Sequence, residues 1–227
     1  REDTILISVM HANNEIGTIQ PVDDVSRLAG KYGAKVHSDA VAAFGHIDVD
    51  VKKLGVNYLS VSGHKICGPK GTGFLYVKGG NPVPYMHGGA QERDRRAGTE
   101  NVAGIVGLAT AARIAYDTIN ERAKLEKRIS EYMIKRILRE IPYSRLNGDL
   151  KNRVPGNMNF SFQYANGGML VVMLNKQGIC ASAGSACTSN SGKPSHVLLG
   201  IGLDDELAES SLRLTINHTI THREADY

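Results

Sequence analysis

Residues 58–77 read YLSVSGHKICGPKGTGFLYV. The two apolar runs in this stretch, Tyr58–Ser62 and Gly73–Val77, are strand candidates joined by a glycine-rich turn. Lys65 stands where the first strand gives way to that turn. In α/β sheets ligands bind in crevices at such strand ends. The Ser62 hydroxyl and the His64 imidazole beside it could donate to phosphate oxygens, and the glycines let the backbone come close without steric cost. A surface loop with ordinary lysines has the same local pattern, so the reading needs agreement from elsewhere in the chain.

Working outward, Thr4–Met10 (TILISVM) reads as a buried strand. After Pro21, Val22, Val25, Leu28 and Ala29 recur at helical spacing until Gly33. Lys35–Asp39 is the next strand. Strands separated by helices predict parallel crossovers and an α/β sheet. Asp39 then falls at a strand end on the same sheet edge as Lys65. A carboxylate there is more often a cap or turn residue. A pyridoxal phosphate site, however, requires a lysine that forms the Schiff base and an acid facing the pyridine nitrogen, and the pair Lys65 and Asp39 meets that requirement.

From Asn101 to Ile141 the pattern is helical, with a break near Asn120. Beyond Pro142, Asn157–Phe162, Ile179–Ser182 and Ser211–Ile216 read as strands among short helices, giving a smaller α+β domain. With 227 residues and 41% hydrophobic content, the chain can bury a real core. A net charge of +4, without a run of five like charges, gives no support to nucleic-acid or membrane-surface binding. No apolar run is long enough to cross a bilayer. Three cysteines at irregular spacing do not make a disulfide framework, which predicts a reduced, cytoplasmic protein. The chain opens almost directly into a strand and closes on a helix-start signature, Thr221 and Glu224, with three residues following. Both ends therefore predict a fragment, or a subunit whose remainder is a separate chain.

Ala181–Gly192 reads ASAGSACTSNSG, all small residues, with Cys187 in the middle. Such a stretch cannot anchor itself in a core, and a cysteine on it reads as an accessible, reactive thiol. Cys180, by contrast, reads as buried in its strand. Taken together, SVMHANNEIGTIQP, HSDAVAAFG, SGHKICGPKGTGFLYV, GGAQERDRRAGTEN, VPGNMNFSF and ASAGSACTS closely resemble, in order and spacing, the NifS/IscS-type cysteine desulfurases. These are class V enzymes of the aspartate-aminotransferase fold, and the resemblance is to the greater C-terminal part of such a chain.

The resemblance implies a partial large domain that binds pyridoxal 5'-phosphate over residues 1–115, with a mainly parallel sheet. Residues 116–227 would then hold the connecting helices and a small C-terminal α+β domain carrying the cysteine loop. It implies that Lys65 is the Schiff-base lysine and proton carrier, Asp39 the acid on the pyridine nitrogen, and Ser62 and His64 phosphate ligands. Thr99 would reach the phosphate across a homodimer interface. Asn14 and Arg213 would hold the substrate's carboxylate, Asn14 also lying against the cofactor. A guanidinium fork suits a carboxylate. Cys187 would take the sulfur of L-cysteine as a persulfide, leave alanine, and pass the sulfur to an acceptor such as an iron–sulfur scaffold.

Ala42 departs from the pattern, since the family has a glutamine there for the cofactor's phenolic oxygen. The family's N-terminal glycine- and threonine-containing phosphate turn and its ring-stacking histidine do not lie within these residues. A non-catalytic or regulatory half, a selenocysteine lyase and an aminotransferase stay open as alternatives. A metal reading built on His64, Cys67, Cys180 and Cys187 has spacings unlike a zinc ribbon. No metal is expected. His11, His46, His87, His196, His218 and His222 read as solvated or hydrogen-bonded, and Ile129, Met133, Ile137 and Ile141 as helix packing.

Overall fold

The computed structural model describes residues 1–80, 82–184 and 194–227. The chain forms two compact units. One comprises Arg1–His11 and Pro21–Ile119, the other Ala12–Gln20 and Asn120–Tyr227.

In the first unit, β1 (Leu6–Met10), β2 (Lys35–Asp39), β3 (Tyr58–Ser62) and β4 (Gly73–Val77) form one sheet in that order. β1, β2 and β3 are parallel, and β4 returns antiparallel to β3. The short glycine turn dictates that reversal, because a parallel return requires a long crossover. The crossovers carry α1 (Val22–Lys31) and α2 (Val51–Leu54). α1 buries Val22 and Ala29 and lies on β2, whose inward residues Val36 and Ser38 are buried. α2 starts at Asp50, whose carboxylate accepts from the Lys52 and Lys53 amides, and stops at Gly55 in the left-handed region. A turn at Gln91–Asp94 (α3) has Glu92 and Arg93 left-handed. α4 (Val102–Asp117) follows, capped by Asn101. Its Leu108 and Ala115 pack on Ile66 beneath the Lys65 turn.

In the second unit, α5 (Ile119–Glu140) lays Met133, Ile134 and Ile137 against Met158 and Phe160. Those two belong to β6 (Asn157–Phe162), the middle strand of an antiparallel sheet with β5 (Ser144–Leu146) and β7 (Ser211–Thr215). α6 (Gly167–Lys176), α7 (His196–Gly200), α8 (Asp205–Glu209) and α9 (His222–Asp226) complete the unit. α9 carries the full capping box between Thr221 and Glu224.

Three expectations are corrected. Ile179–Ser182 is not a strand: only Ser182 pairs, as one bridge to Arg213. Ile179 and Cys180 instead line an apolar cavity of about 460 Å³ beside α5, with Leu212 and Leu214. Cys180 is accordingly exposed rather than buried in a strand. His11 is neither solvated nor fully hydrogen-bonded. It is 5% exposed and its Nδ1 is buried without a partner among the described residues. Burial holds its pKa below the ordinary histidine value, against a smaller opposing pull from Asp23.

Candidate functional site

The expected site residues fall into two groups, one in each unit. In the first unit the strand register decides the placement. Asp39, the last residue of β2, pairs with Ser60 on β3, and Ser62 follows two residues on. Since side chains alternate faces along a strand, Asp39, Ser60 and Ser62 share one face at the C-terminal edge of the parallel strands. That is the edge where open α/β sheets bind ligands.

The chain then turns through a 3-10 helix, Gly63–Ile66. The turn is anchored by what it buries. Ile66 is 8% exposed and packs on α4, while His64 and Lys65 beside it are exposed. Gly63 is required at this point, because a Cβ there would lie 2.6 Å from Thr72 Oγ1. The Gly63 amide donates to the Thr72 carbonyl, and the Gly68 amide closes the turn onto the Gly63 carbonyl. Cys67 takes the left-handed conformation at the exit.

The polar groups of this edge are pre-arranged. Ser62 Oγ and His64 Nδ1 lie 2.7 Å apart. Asp39 Oδ1 accepts from the Val41 amide at 2.9 Å, and the Asp39 carbonyl accepts from the His11 amide at 2.8 Å. His46 Nε2 meets the Lys65 carbonyl at 3.1 Å. Thr99 belongs to the same unit, exposed and just ahead of α4.

His37 was missed by the sequence reading. Its ring bridges Ser8 Oγ (2.7 Å to Nδ1) and Ser60 Oγ (2.8 Å to Nε2) across three strands. Its position two residues before Asp39, and hence on the same face, was the signal available. Ala42 lies partly exposed in the turn after Asp39.

In the second unit, Asn14 and Arg213 are brought together, through the backbone of Asn14. Arg213 Nη1 donates to the Asn14 carbonyl at 3.0 Å. Arg213 is half-buried on β7. Cys187 lies outside the described residues.

The donor set of the first group fits pyridoxal phosphate. It offers an exposed primary amine for an aldehyde and a carboxylate with one oxygen committed to a backbone amide. Beside them a hydroxyl and an imidazole are paired where a phosphate accepts hydrogen bonds.

The comparisons with known proteins give the family. The model of the family described as aminotransferase class-V matches residues 1–227. The cysteine desulfurase IscS of Dictyoglomus turgidum is 46% identical over 100% of this chain, which spans 58% of that relative. A NifS-like protein from Rickettsia africae superposes with a TM-score of 0.88 at 32% identity, over 98% of this chain and 59% of its own. The structure of SspA in complex with cysteine gives 0.78 at 33% identity, over 95% of this chain and 60% of its own. The chain thus spans well under two thirds of each. The expected C-terminal placement is withdrawn, since the matches carry a span and no such placement. With its whole length matched, this chain belongs to the aminotransferase class-V family.

Proposed function

We propose that the protein containing this chain is a pyridoxal-phosphate-dependent cysteine desulfurase, converting L-cysteine to L-alanine and an enzyme persulfide. The observation that carries the reading is the strand-end set of Asp39, closing β2, with Ser62, His64 and Lys65 at a turn fixed by Gly63 and Ile66. When bound, pyridoxal phosphate supplies an electron sink for negative charge at the substrate's α-carbon.

The chain's own groups do the rest. Ser62 and His64 donate to the phosphate, with Thr99 reaching a second subunit's phosphate in a homodimer. The Asp39 carboxylate would hold the proton on the pyridine nitrogen. The Lys65 amine would hold the cofactor through its aldehyde group and, when free, would take the proton from the substrate's α-carbon. Asn14 and the Arg213 fork hold the substrate's carboxylate. Cys187, as thiolate, attacks the substrate's sulfur. The S–S bond forms, the Cβ–S bond breaks, and its electron pair stays on carbon, to be protonated in alanine. A free thiol titrates near about 8.5, so the thiolate needs a nearby cation or donor.

The structure of SspA with cysteine and the desulfurase relative support this substrate. The unit of Arg1–His11 and Pro21–Ile119 would serve as the cofactor-binding part and that of Ala12–Gln20 and Asn120–Tyr227 as the sulfur-carrying one. A sulfur-acceptor protein such as an iron–sulfur scaffold would take the product, in a reducing, cytoplasmic setting. Ala42 favours a second reading, in which the protein captures cofactor without turning cysteine over. One experiment separates the two. The full-length protein is given pyridoxal phosphate and L-cysteine, and absorbance, alanine and persulfide are followed in wild type and Cys187→Ser. Desulfurase function predicts that Cys187→Ser keeps the cofactor spectrum and loses the persulfide. Cofactor capture with no alanine from wild type would select the second reading, and persulfide mapped to Cys67 would overturn the assignment of Cys187.

A further inference from the structure

The Lys65 carbonyl stands at the end of the 3-10 turn, where a helix leaves its last carbonyls without partners of its own. His46 supplies a donor there. Its Nε2 lies 3.1 Å from that oxygen, and because a carbonyl only accepts, Nε2 must carry the proton. His46 is half-buried, whereas Lys65 is exposed. The proposed chemistry gives this imidazole no task.

The two residues before His46 repeat the attachment by packing. Gly45 has φ of 76°, and a Cβ there would lie 2.6 Å from Ile66 Cγ2 and 3.1 Å from Ala115 Cβ. The glycine therefore lets the backbone lie directly against Ile66, the side chain that anchors the Lys65 turn on α4. Phe44 packs against the same cluster of Ile66, Leu108 and Ala115. Its ring also meets Phe74 of β4 edge-on, with centroids 5.4 Å apart. Phe44, Gly45 and His46 thus grip Ile66 and Lys65 together.

The other end of this strap is Asp39, whose Oδ1 accepts from the Val41 amide. Between the two ends the chain is closed on itself. The Ala43 and Phe44 amides donate to the Ala40 carbonyl, and the His46 and Ile47 amides to the Ala43 carbonyl. Packing on Ile66 would by itself hold the turn to α4. The bond to the Lys65 carbonyl does more, because it fixes the peptide plane after Lys65 and so the direction in which that side chain leaves the backbone.

We infer that His46 is a positioning residue for Lys65. Through the Lys65 carbonyl it ties the amine-bearing turn to the strap that Asp39 begins, so the amine and the acid are referred to one closed piece of backbone. The inference rests on the reading of this edge as a pyridoxal phosphate site.

The test uses the full-length protein freed of cofactor, with His46→Leu, His46→Asn and His46→Gln, and with His46→Leu also placed in Lys65→Ala. Two probes are titrated, pyridoxal 5'-phosphate and pyridoxamine 5'-phosphate. The first condenses its aldehyde with the Lys65 amine, losing water, and gives a lysine-linked absorbance. The second carries an amine in place of the aldehyde and binds only through its ring and phosphate. His46→Leu should weaken pyridoxal phosphate about fivefold, the scale of one hydrogen bond, and slow the growth of the absorbance by a similar factor. Pyridoxamine phosphate should bind as it does to wild type. His46→Gln can place an amide N–H near the Nε2 position and should recover most of the loss, whereas the shorter His46→Asn should not. In Lys65→Ala, His46→Leu should change neither affinity, because the group it positions is gone. Where His46→Leu fails to fold, the contrast between His46→Asn and His46→Gln decides. An equal loss of both probes, a loss that persists in Lys65→Ala, or equal behaviour of the Asn and Gln variants would overturn the inference. If wild type forms no lysine-linked absorbance, the cofactor reading falls and takes the inference with it. A wild-type absorbance that His46→Leu matches in rate and affinity sinks the inference alone.

Discussion

Two turns in this chain look alike locally and are put to opposite uses. The turn at Gly63–Gly68 follows β3, and the turn at Asn13–Gly17 follows His11 at the end of β1. Both are closed by backbone bonds onto their first residue and both contain a required glycine. The first buries Gly63 and Ile66 and leaves His64 and Lys65 outward. The second buries Glu15, Ile16 and Gly17. A group that must meet a ligand has to stay solvated until the ligand arrives, so the turn carrying it is fastened through its neighbours. A group that fastens gains most when it is buried with one fixed partner. The contrast predicts different penalties: chemistry lost without stability in the first turn, stability lost in the second.

The largest effect is expected at Lys65. Lys65→Ala should abolish the cofactor's covalent lysine linkage and lower alanine formation by on the order of a thousandfold. The urea midpoint should stay at the wild-type value, because the side chain is exposed. Lys70→Ala should keep the linkage. Borohydride labelling of Lys70 would misplace the site, and a lowered midpoint for Lys65→Ala would break the contrast between the turns.

Next is Gly17→Val. Gly17 has φ of 73°, and a Cβ there would lie 2.6 Å from Asn157 Oδ1. Left-handed strain and the overlap together should cost about 2–4 kcal/mol, read from urea unfolding. A loss below about 1 kcal/mol would show that the second turn yields to the added side chain and would break the contrast. Arg213→Lys should then raise KM for cysteine about tenfold, because an ammonium cannot reproduce the planar fork.

How much of this was legible beforehand follows from what each signal depends on. β2, β3, β4 and β6 were readable to the residue, because apolar runs bounded by glycine, proline or aspartate are local signals. The places of Asp39 and Lys65 on the sheet edge were readable because Asp39 ends such a run and Lys65 follows just past the end of another. β5 escaped because three residues, Ser144–Leu146, give too short a run to show alternation. Ile179–Ser182 was misread because an apolar run is equally well satisfied by lining a cavity. Glu15 and His37 escaped for another reason. Their partners, Ser195 and the pair Ser8 and Ser60, stand 180, 29 and 23 residues away, and one sequence carries no signal of such contacts. Nothing in the local sequence around Glu15 marks it as buried, and only the fold shows it.

The smallest effect sharpens the comparison by setting a second buried carboxylate of the second unit against the solvated chemistry of the first. Glu126 on α5 is 4% exposed. Burial pushes its pKa above the ordinary glutamate value, while Arg122 and a hydrogen bond from the His218 backbone pull it down by less. The folded state therefore holds the Glu126 proton more tightly than the unfolded chain does. For a carboxylate raised in this way, ionisation weakens the fold. The penalty is fully present above the raised folded pKa, and it disappears as pH falls through that value towards the unfolded one, when both states are protonated. Glu126→Gln keeps an acceptor for the His218 amide and removes the charge. It should raise the urea midpoint at pH 8, by less than about 1 kcal/mol since the Arg122 attraction is lost as well, and leave it unchanged at pH 4. A lower midpoint at pH 8 would mean that the ionised carboxylate is a net fastener, as the bond from Ser195 Oγ at 2.6 Å would make Glu15. Burial alone would then fail to distinguish the two acids, and the short bond to Ser195 would be no special feature of the turn that holds it.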